Sequence, residues 1–244
     1  MGSIDLSDPD RTIWRYLTFS QFVSIIRRRK LYFSALSTFN DPFEGSFPEP
    51  ESGSNLELSE EYDIEKLRKI LPKFVFANCW HINEHETAFM WNQYSNEGIA
   101  IKSTIGDLRE SFDTSEKGAW MYEVDYINYE CEEFKSDDRF AAYFHKRRSF
   151  RHEQELRLLF EEWPPQEESV DMEYVDSVLK GREPEPQDLV EGQFHEIDVD
   201  DLINEVYISP RKDENFKELV VDYVKTSDDS FPVNHSSLSN DPVY

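Results

Sequence analysis

Two apolar runs of strand type constrain the fold of this 244-residue chain more than any other feature. They cover residues 74–80 and 156–160 and are rich in Phe, Leu and Val. The apolar continuity of residues 74–80 is typical of a strand in the centre of a sheet. Strand and helix signals intermix along the rest of the chain without regular βαβ repetition. The sequence therefore predicts an α+β fold with a mixed, mainly antiparallel sheet and several packed helices.

The signals extend along the whole chain and predict one domain over residues 1–244. Thr18 and Gln21 have the spacing of a capping box, so a helix is predicted to begin there. Residues 164–192 are acidic, proline-bearing and weakly periodic, which predicts a surface insertion or lid rather than a second domain. Further helices are predicted over residues 59–71, 86–94, 105–112, 137–149 and 214–225.

The charge of the chain limits its partners. There are 51 acidic and 26 basic residues, which give a formal charge of −25. A field of this sign repels polyanions, so a nucleic-acid binder or an anionic-membrane binder is not expected. Acidity spread from end to end is typical of proteins that work in concentrated salt, and it predicts a halophilic source. Two distant cysteines, no signal peptide and no apolar run of roughly 20 residues predict a cytoplasmic protein without a membrane span.

Alternating charges precede the second apolar run. In an extended backbone Arg151, Glu153, Glu155 and Arg157 would all project from one face, because side chains alternate with period two. Two carboxylates held between two guanidinium groups can serve as a general base, a metal clamp or a substrate clamp. The alternative is a solvated, salt-bridged strand face.

Two further constellations are candidates for a site. In the loop around Pro42, the proline fixes the shape of a segment that carries Asn40, Asp41 and Glu44; the alternative is an Asx-type turn. Aromatic side chains cluster at a predicted strand-to-helix turn, where they either wall a pocket for a planar ring or belong to the core. These aromatic residues are Trp80, Phe89, Trp91 and Tyr94.

Phosphate-cradling glycine motifs are absent from the sequence, which disfavours Rossmann and P-loop folds. Cys79, His81 and His85, with Glu84 or Glu86, have ligand types that suit zinc, but no second Cys/His pair completes the familiar four-ligand spacing. We therefore predict no metal site. A Cys79 nucleophile activated by His81 is a weaker alternative.

Several motifs together resemble the prokaryotic domain-of-unknown-function family 2971, and the resemblance covers nearly the whole chain. The chain departs from the family pattern at Ser209-Pro210, where a glycine would precede the proline. The resemblance implies no particular chemistry. The motifs are Trp14-Arg15-Tyr16-Leu17, Leu31-Tyr32-Phe33-Ser34, Phe39-Asn40-Asp41-Pro42-Phe43-Glu44, Cys79-Trp80, Met90-Trp91 with Tyr94, Gly98-Ile99-Ala100-Ile101, Glu153-Gln154-Glu155-Leu156-Arg157, and residues 202–210.

The order of residues also resembles that of ADP-ribosyltransferases, in which a basic residue, a Tyr or Ser strand and a late Glu-x-Glu strand follow one another. By this resemblance Arg15 would anchor a phosphate or the nicotinamide ribose, and Tyr32, with Ser34, would hold the nicotinamide. Glu155 would be the catalytic carboxylate, with Glu153 as its partner. NAD would be the substrate, with Trp91 as a further contact to the dinucleotide.

Three functions remain open on the sequence. The first is an NAD-dependent ADP-ribosyltransferase or NAD-hydrolysing enzyme in a stress or phage-defence setting. The second is a noncatalytic binding or regulatory module, and the third is a metal-dependent nuclease or hydrolase. A small-molecule ligand is expected, whereas the oligomeric state is open. Residues with either a substrate-binding or a structural role are Asn40, Asp41, Glu44, Tyr94 and Arg157; the metal alternative uses Asp41, Glu44, Glu153 and Glu155.

Overall fold

The computed structural model of the chain describes residues 8–46, 69–112, 119–134, 140–163, 165–166, 169–170, 172–227 and 229–240. It confirms the predicted α+β class, with a mixed, mainly antiparallel sheet and packed helices in one domain. The strands are β1 (Thr12–Leu17), β2 (Lys30–Ala35), β3 (Val75–Ile82), β4 (Ile99–Thr104), β5 (Trp120–Glu123), β6 (Asp125–Ile127), β7 (His145–Arg147), β8 (Glu155–Glu161), β9 (Pro165–Gln166), β10 (Ser169–Val170), β11 (Gly192–Glu196), β12 (Glu205–Ile208) and β13 (Val233–His235).

The main sheet has the order β11-β2-β3-β1-β4-β12-β13, and β8 and β5 extend it from β3. Its neighbouring strands are antiparallel except for the pair β12 and β13. Strand β3 is central, as the apolar run predicted, and most of its side chains are buried. The apolar half of β8 lies beside it, with Leu158 opposite Asn78 and Phe160 opposite Phe76.

The sheet opens along one edge of β3. This edge pairs with β2 at Phe76 and Ala77 and with β1 at His81 and Ile82, so residues 78–80 have no strand partner on that side. Side-chain hydrogen bonds replace the backbone hydrogen bonds that a neighbouring strand would make there. The amide nitrogen of Asn78 donates to the carbonyl oxygen of Tyr32, and the guanidinium of Arg15 donates to the carbonyl oxygen of Cys79. The separation of β1 and β2 leaves a cleft in the middle of the fold.

The first helix, α1 (Phe19–Arg28), begins where the capping box predicted. The backbone N–H of Gln21 donates to the Thr18 hydroxyl, and the backbone N–H of Thr18 donates to the Gln21 side chain. Phe22 and Ile26 bury the apolar face of this helix in the main core. The other α-helices of the described residues are α2 (Ala88–Tyr94), α3 (Ile105–Phe112), α4 (Ala141–Phe144), α5 (Met172–Leu179), α6 (Val199–Leu202) and α7 (Glu214–Thr226).

The predicted helix over residues 137–149 is wrong. Residues 135–139 lie outside the described residues, α4 covers only one turn, and the chain then forms β7, which runs parallel to β6. Because the backbone is extended in β7, the Lys146 side chain lies among buried carboxylates. Tertiary ion pairing and strand pairing therefore override local helical preference.

The segment predicted as an insertion contains α5, which packs on the body of the domain. Tyr174 and Val178 form a small core with Ile70 and Phe74. Residues 59–68 of another predicted helix lie outside the described residues. In the part of the chain that the structure describes, no helix combines the length and the apolarity that a membrane crossing requires.

Gly98, at the start of β4, is predicted to tolerate no side chain. A Cβ atom there would collide with the backbone carbonyl oxygen of Leu17 and with the Ser95 hydroxyl. Gly98→Ala is therefore expected to lower the free energy of unfolding by about 1–3 kcal/mol, because β1 and β4 would have to move apart. Chemical denaturation measures the loss. Glu97→Ala, at an exposed neighbour, is the control, and an equal loss in both variants would refute the steric explanation.

Candidate functional site

A cavity of about 490 Å³ lies at the cleft where β1 and β2 separate from β3. Strands β1, β2, β3, β7 and β8 contribute to its lining, together with α1, α2, the 3-10 helix Arg148–Glu153 and the segment of residues 38–44. The polar side chains of the lining are Arg15, Gln21, Ser34, Thr38, Asn40, Asp41, Glu44, His81, Gln93, Tyr94, Lys146, Glu153 and Glu155.

A buried ion network forms one wall of the cavity. The ammonium nitrogen of Lys146 lies 2.6 Å from a carboxylate oxygen of Glu153, 3.2 Å from one of Glu155 and 3.3 Å from one of Glu44. The guanidinium of Arg157 binds Glu155 at 2.7 Å and both oxygens of Glu44 at 2.8 and 2.9 Å. All five charged side chains are at most 9% exposed.

Three carboxylates share two cations, so the network carries one excess negative charge when its members are ionised. Burial alone would raise the pKa of Glu155, but Arg157 and Lys146 favour the ionised form and hold this pKa at about 2. The carboxylates raise the pKa of Lys146 against the effect of its burial. Tyr94 donates to the free oxygen of Glu153 at 2.9 Å. The wall therefore favours a cationic group in the cavity.

The predicted four-residue ladder is wrong in its first half. Residues Arg148–Glu153 form a 3-10 helix, and Gln154 has a left-handed backbone with φ 40° before β8 begins at Glu155. Arg151 is exposed as a result. Glu153 reaches the same wall as Glu155 because the tight turn, and not strand alternation, returns its side chain to the cavity. The solvated-face alternative is also wrong, because Glu153 is 6% and Glu155 is 5% exposed.

Arg15 on β1 lines the same cavity, at the cleft beside residues 78–80 of β3. One guanidinium nitrogen donates to the Cys79 carbonyl oxygen at 2.8 Å. The buried Nε has no hydrogen-bond partner among the residues that the structure describes, and within those residues no carboxylate contributes to the pKa shift of Arg15. Burial lowers the pKa of Arg15 to about 10, so the side chain stays cationic at neutral pH. It remains available to an anionic ligand.

His81 is a second polar side chain with unused capacity. Its Nδ1 lies 2.6 Å from the backbone carbonyl oxygen of Glu153, and its buried Nε2 has no partner within the described ranges. Burial lowers the pKa of His81, which favours the neutral imidazole. The sequence pointed to His81 only as a zinc ligand or as the partner of Cys79. The available signal was that His81 and Cys79 are two residues apart in a predicted strand, so their side chains share a face. The burial of His81 could not be predicted from the sequence.

The structure brings most of the predicted site residues together, but not all of them. Tyr32 is outside the lining, with its ring packed 5.0 Å from that of Phe194. Trp91 is buried, stacks edge-on against Tyr16 and donates to Glu86. The predicted residues that line the cavity are Arg15, Ser34, Asn40, Asp41, Glu44, Tyr94, Glu153 and Glu155, and Arg157 lies behind Glu155.

The loop around Pro42 forms the Asx-type turn that was one of its two interpretations. The backbone N–H of Phe43 donates to the Asp41 carboxylate at 3.1 Å, and Arg147 binds the same carboxylate at 2.7 Å. The guanidinium of Arg147 also stacks over the Phe43 ring. The turn places Glu44 in the ion network, so the structural and the site interpretations describe the same loop.

The geometry does not support a metal ion. The four acids of the metal hypothesis are bound to cations: Asp41 to Arg147, and the others to Lys146 and Arg157. Within the described part of the chain, no group of three or more His, Cys, Asp or Glu side chains is arranged to hold a metal. His85 of the zinc alternative is exposed.

No protein-family model and no curated protein matches the chain, so the resemblance to family 2971 is not confirmed. Among solved structures, the chain is similar to Thermus sp. 2.9 DarT in complex with NAD+, with 11% identity and a TM-score of 0.39 over 96% of this chain and 98% of that one. The same DarT in complex with carba-NAD+ gives 12% identity and a TM-score of 0.37 over 94% and 96%. With TM-scores below 0.5, these similarities carry no conclusion about this chain.

Proposed function

We propose that this protein binds NAD and cleaves the bond between nicotinamide and ribose, either to transfer ADP-ribose or to hydrolyse NAD. One observation carries the proposal. A cationic Arg15 without a carboxylate partner among the described residues and a carboxylate wall with excess negative charge line the same cavity. NAD offers the complementary pair of charges, an anionic pyrophosphate and a cationic pyridinium ring.

The cavity suits a ligand of this class. Its volume of about 490 Å³ is typical of a small-molecule site. The guanidinium of Arg15 still has donors free for a phosphate oxygen. In the ion network Glu153 and Glu155 can face the nicotinamide ribose, and the aromatic residues Trp14, Tyr16 and Tyr94 supply apolar surface for a ring.

Glu155 would act by charge. When the bond between ribose C1′ and nicotinamide breaks, the electron pair leaves with the nicotinamide nitrogen and positive charge develops on the ribose. A carboxylate that stays ionised beside this centre stabilises it in a site with little water. Glu155 meets this requirement because Arg157 and Lys146 hold its pKa at about 2. The cytoplasm is the compartment that we propose, and the stress or phage-defence setting stays a prediction.

Titration calorimetry and nicotinamide release test the proposal. The wild-type protein is expected to bind NAD with one site, in dilute and in concentrated salt. Arg15→Met should weaken binding roughly 10- to 100-fold, because a charge-assisted hydrogen bond to phosphate is lost. Glu155→Gln should lower nicotinamide release by about 10²- to 10³-fold, because it removes the charge that the transition state requires.

Arg27→Met is the matched control for Arg15→Met, since Arg27 is exposed on α1. Its NAD affinity should equal that of the wild type. Circular dichroism establishes that each variant is folded before its affinity is interpreted. Absence of heat from NAD with both the wild type and Glu155→Gln would overturn the proposal and favour the noncatalytic module.

A further inference from the structure

We propose that His81 accepts the proton of the nucleophile that attacks the ribose, whether this nucleophile is water or the hydroxyl or amine of an acceptor. This inference rests on the proposed function and assigns the proton transfer within the same site. It starts from a buried imidazole nitrogen, Nε2, that has no hydrogen-bond partner in the described part of the chain.

The hydrogen bond of His81 determines its tautomer. A carbonyl oxygen only accepts, so the 2.6 Å contact with the Glu153 backbone requires that Nδ1 carries the proton. In the neutral ring Nε2 then has a lone pair and no proton. His81 is 2% exposed and belongs to the cavity lining, so its buried Nε2 lone pair lies without a partner beside the space that a ligand would occupy, among the residues that the structure describes.

The other acidic and basic groups of the lining are less suited to the role. Glu153 and Glu155 are bound to Lys146, and Arg157 holds Glu155 from its other side. Glu44 is bidentate to Arg157. Burial raises the pKa of the Cys79 thiol well above its ordinary value, so this thiol stays protonated. Among the described ionisable side chains of the cavity, His81 thus offers a neutral proton acceptor, Nε2, that has no partner.

The step balances in atoms and charge. The nucleophile's oxygen or nitrogen forms a bond to ribose C1′ while the bond from C1′ to the nicotinamide nitrogen breaks, and nicotinamide leaves as a neutral molecule with the electron pair. The proton of the nucleophile moves to Nε2 of His81, which becomes an imidazolium. His81 later releases this proton to solvent after product departure.

Charged and titratable groups on several elements line the cavity with His81, and one of them, Glu153, favours the transient imidazolium. Glu153 stabilises the protonated ring through its carbonyl oxygen and its carboxylate, although burial has the larger effect and lowers the pKa of His81 overall. Tyr16 on β1, Glu155 on β8 and Glu153 on the 3-10 helix lie next to His81. The other titratable groups of the shared lining are Arg15 on β1, Asp41 and Glu44 in the loop around Pro42, Cys79 on β3, Tyr94 on α2 and Lys146 on β7.

A group with a pKa below its ordinary value of 6.5 is neutral at pH 7 and competent to accept a proton. The rate of nicotinamide release is therefore expected to be constant at neutral pH and to fall only at a pH more acidic than the ordinary imidazole pKa. Glu155 is held at a pKa of about 2 and stays ionised over the same range, so it does not produce this acid limb, and loss of the limb in a His81 variant assigns it to His81.

His81→Asn separates the proton acceptor from the structural contact. The asparagine amide can reproduce the Nδ1 donation to the Glu153 carbonyl, but it provides nothing in place of Nε2. We expect nicotinamide release to fall about 10²- to 10⁴-fold, with the NAD affinity within about threefold of the wild type and the acid limb lost. His85→Asn, at the exposed histidine four residues later, should behave as the wild type.

Long-range nitrogen–proton NMR of the imidazole rings tests the same inference without NAD. His81 should show a proton on Nδ1 and none on Nε2 at pH 7. Two results would overturn the role of His81 and leave the proposed function standing. One is a proton on Nε2. The other is a wild type that cleaves NAD together with a His81→Asn variant that cleaves it at the same rate. A wild type that binds or cleaves no NAD would overturn both.

Discussion

Arg157→Met is expected to lower the free energy of unfolding by about 3–5 kcal/mol, a large fraction of the stability of a typical domain. Arg157 is fully buried and holds Glu155 and both oxygens of Glu44. Without it these carboxylates keep only Lys146, and the Tyr143 carbonyl oxygen loses the donor that Arg157 supplies. A buried charge that loses its partner is costly because water cannot replace the partner.

Urea denaturation followed by fluorescence measures this loss. Arg148→Met is the matched control, because Arg148 forms a salt bridge with Glu132 at 2.6 Å but is 55% exposed. Its loss should cost at most about 1 kcal/mol, since surface ion pairs contribute little. Similar losses in the two variants would contradict the assignment of the Arg157 network as a buried, mutually dependent unit.

The second large effect is a loss of stability in acid that Glu155 causes. The pKa of this carboxyl is about 2 in the folded protein, below its ordinary value of 4.5. A group whose pKa is depressed by folding contributes stability above its unfolded pKa and loses it as the pH falls towards the folded value. The contribution of Glu155, roughly 3 kcal/mol in total, should therefore disappear between pH 4.5 and pH 2, with about 2 kcal/mol gone by pH 3.

The difference in unfolding free energy between the wild type and Glu155→Gln isolates this effect, because the remaining carboxyl groups titrate in both proteins. We expect this difference to be constant above pH 5.5 and to shrink steadily below pH 4.5. Glu130→Gln, at an exposed carboxyl, is the matched control for the substitution itself. If the unfolding free energies of the wild type and of Glu155→Gln change in parallel down to pH 3, then folding does not hold Glu155 ionised.

Much of the fold could be predicted from local pattern. The continuous apolar run of residues 74–80 determined a central strand, because such a run is stable only when both faces are covered. Thr18 and Gln21 determined the start of α1, since capping depends on a spacing of three residues and on little else. The order of motifs also brought Arg15, Glu44, Glu153 and Glu155 to attention before any contact was known.

Other features depended on contacts between distant parts of the chain. Lys146 was predicted within a helix, but it binds carboxylates from β8 and from the loop around Pro42. Tyr32 and Trp91 were predicted at the site, but each packs against a neighbour elsewhere. The ion pairs of Lys146 and the positions of Tyr32 and Trp91 do not follow from sequence spacing. They depend on which strands pair and where the strands separate.

The α+β class, the central strand and the candidate carboxylates could all be predicted from the sequence, because propensity, capping and strand periodicity act over a few residues. Three features required the folded chain: β1 and β2 separate at residues 78–80, two cations hold three acids beside the resulting cleft, and Nε2 of His81 is buried there without a partner among the described residues. Burial and charge pairing are long-range properties. They follow from the whole arrangement of strands, and not from any one segment.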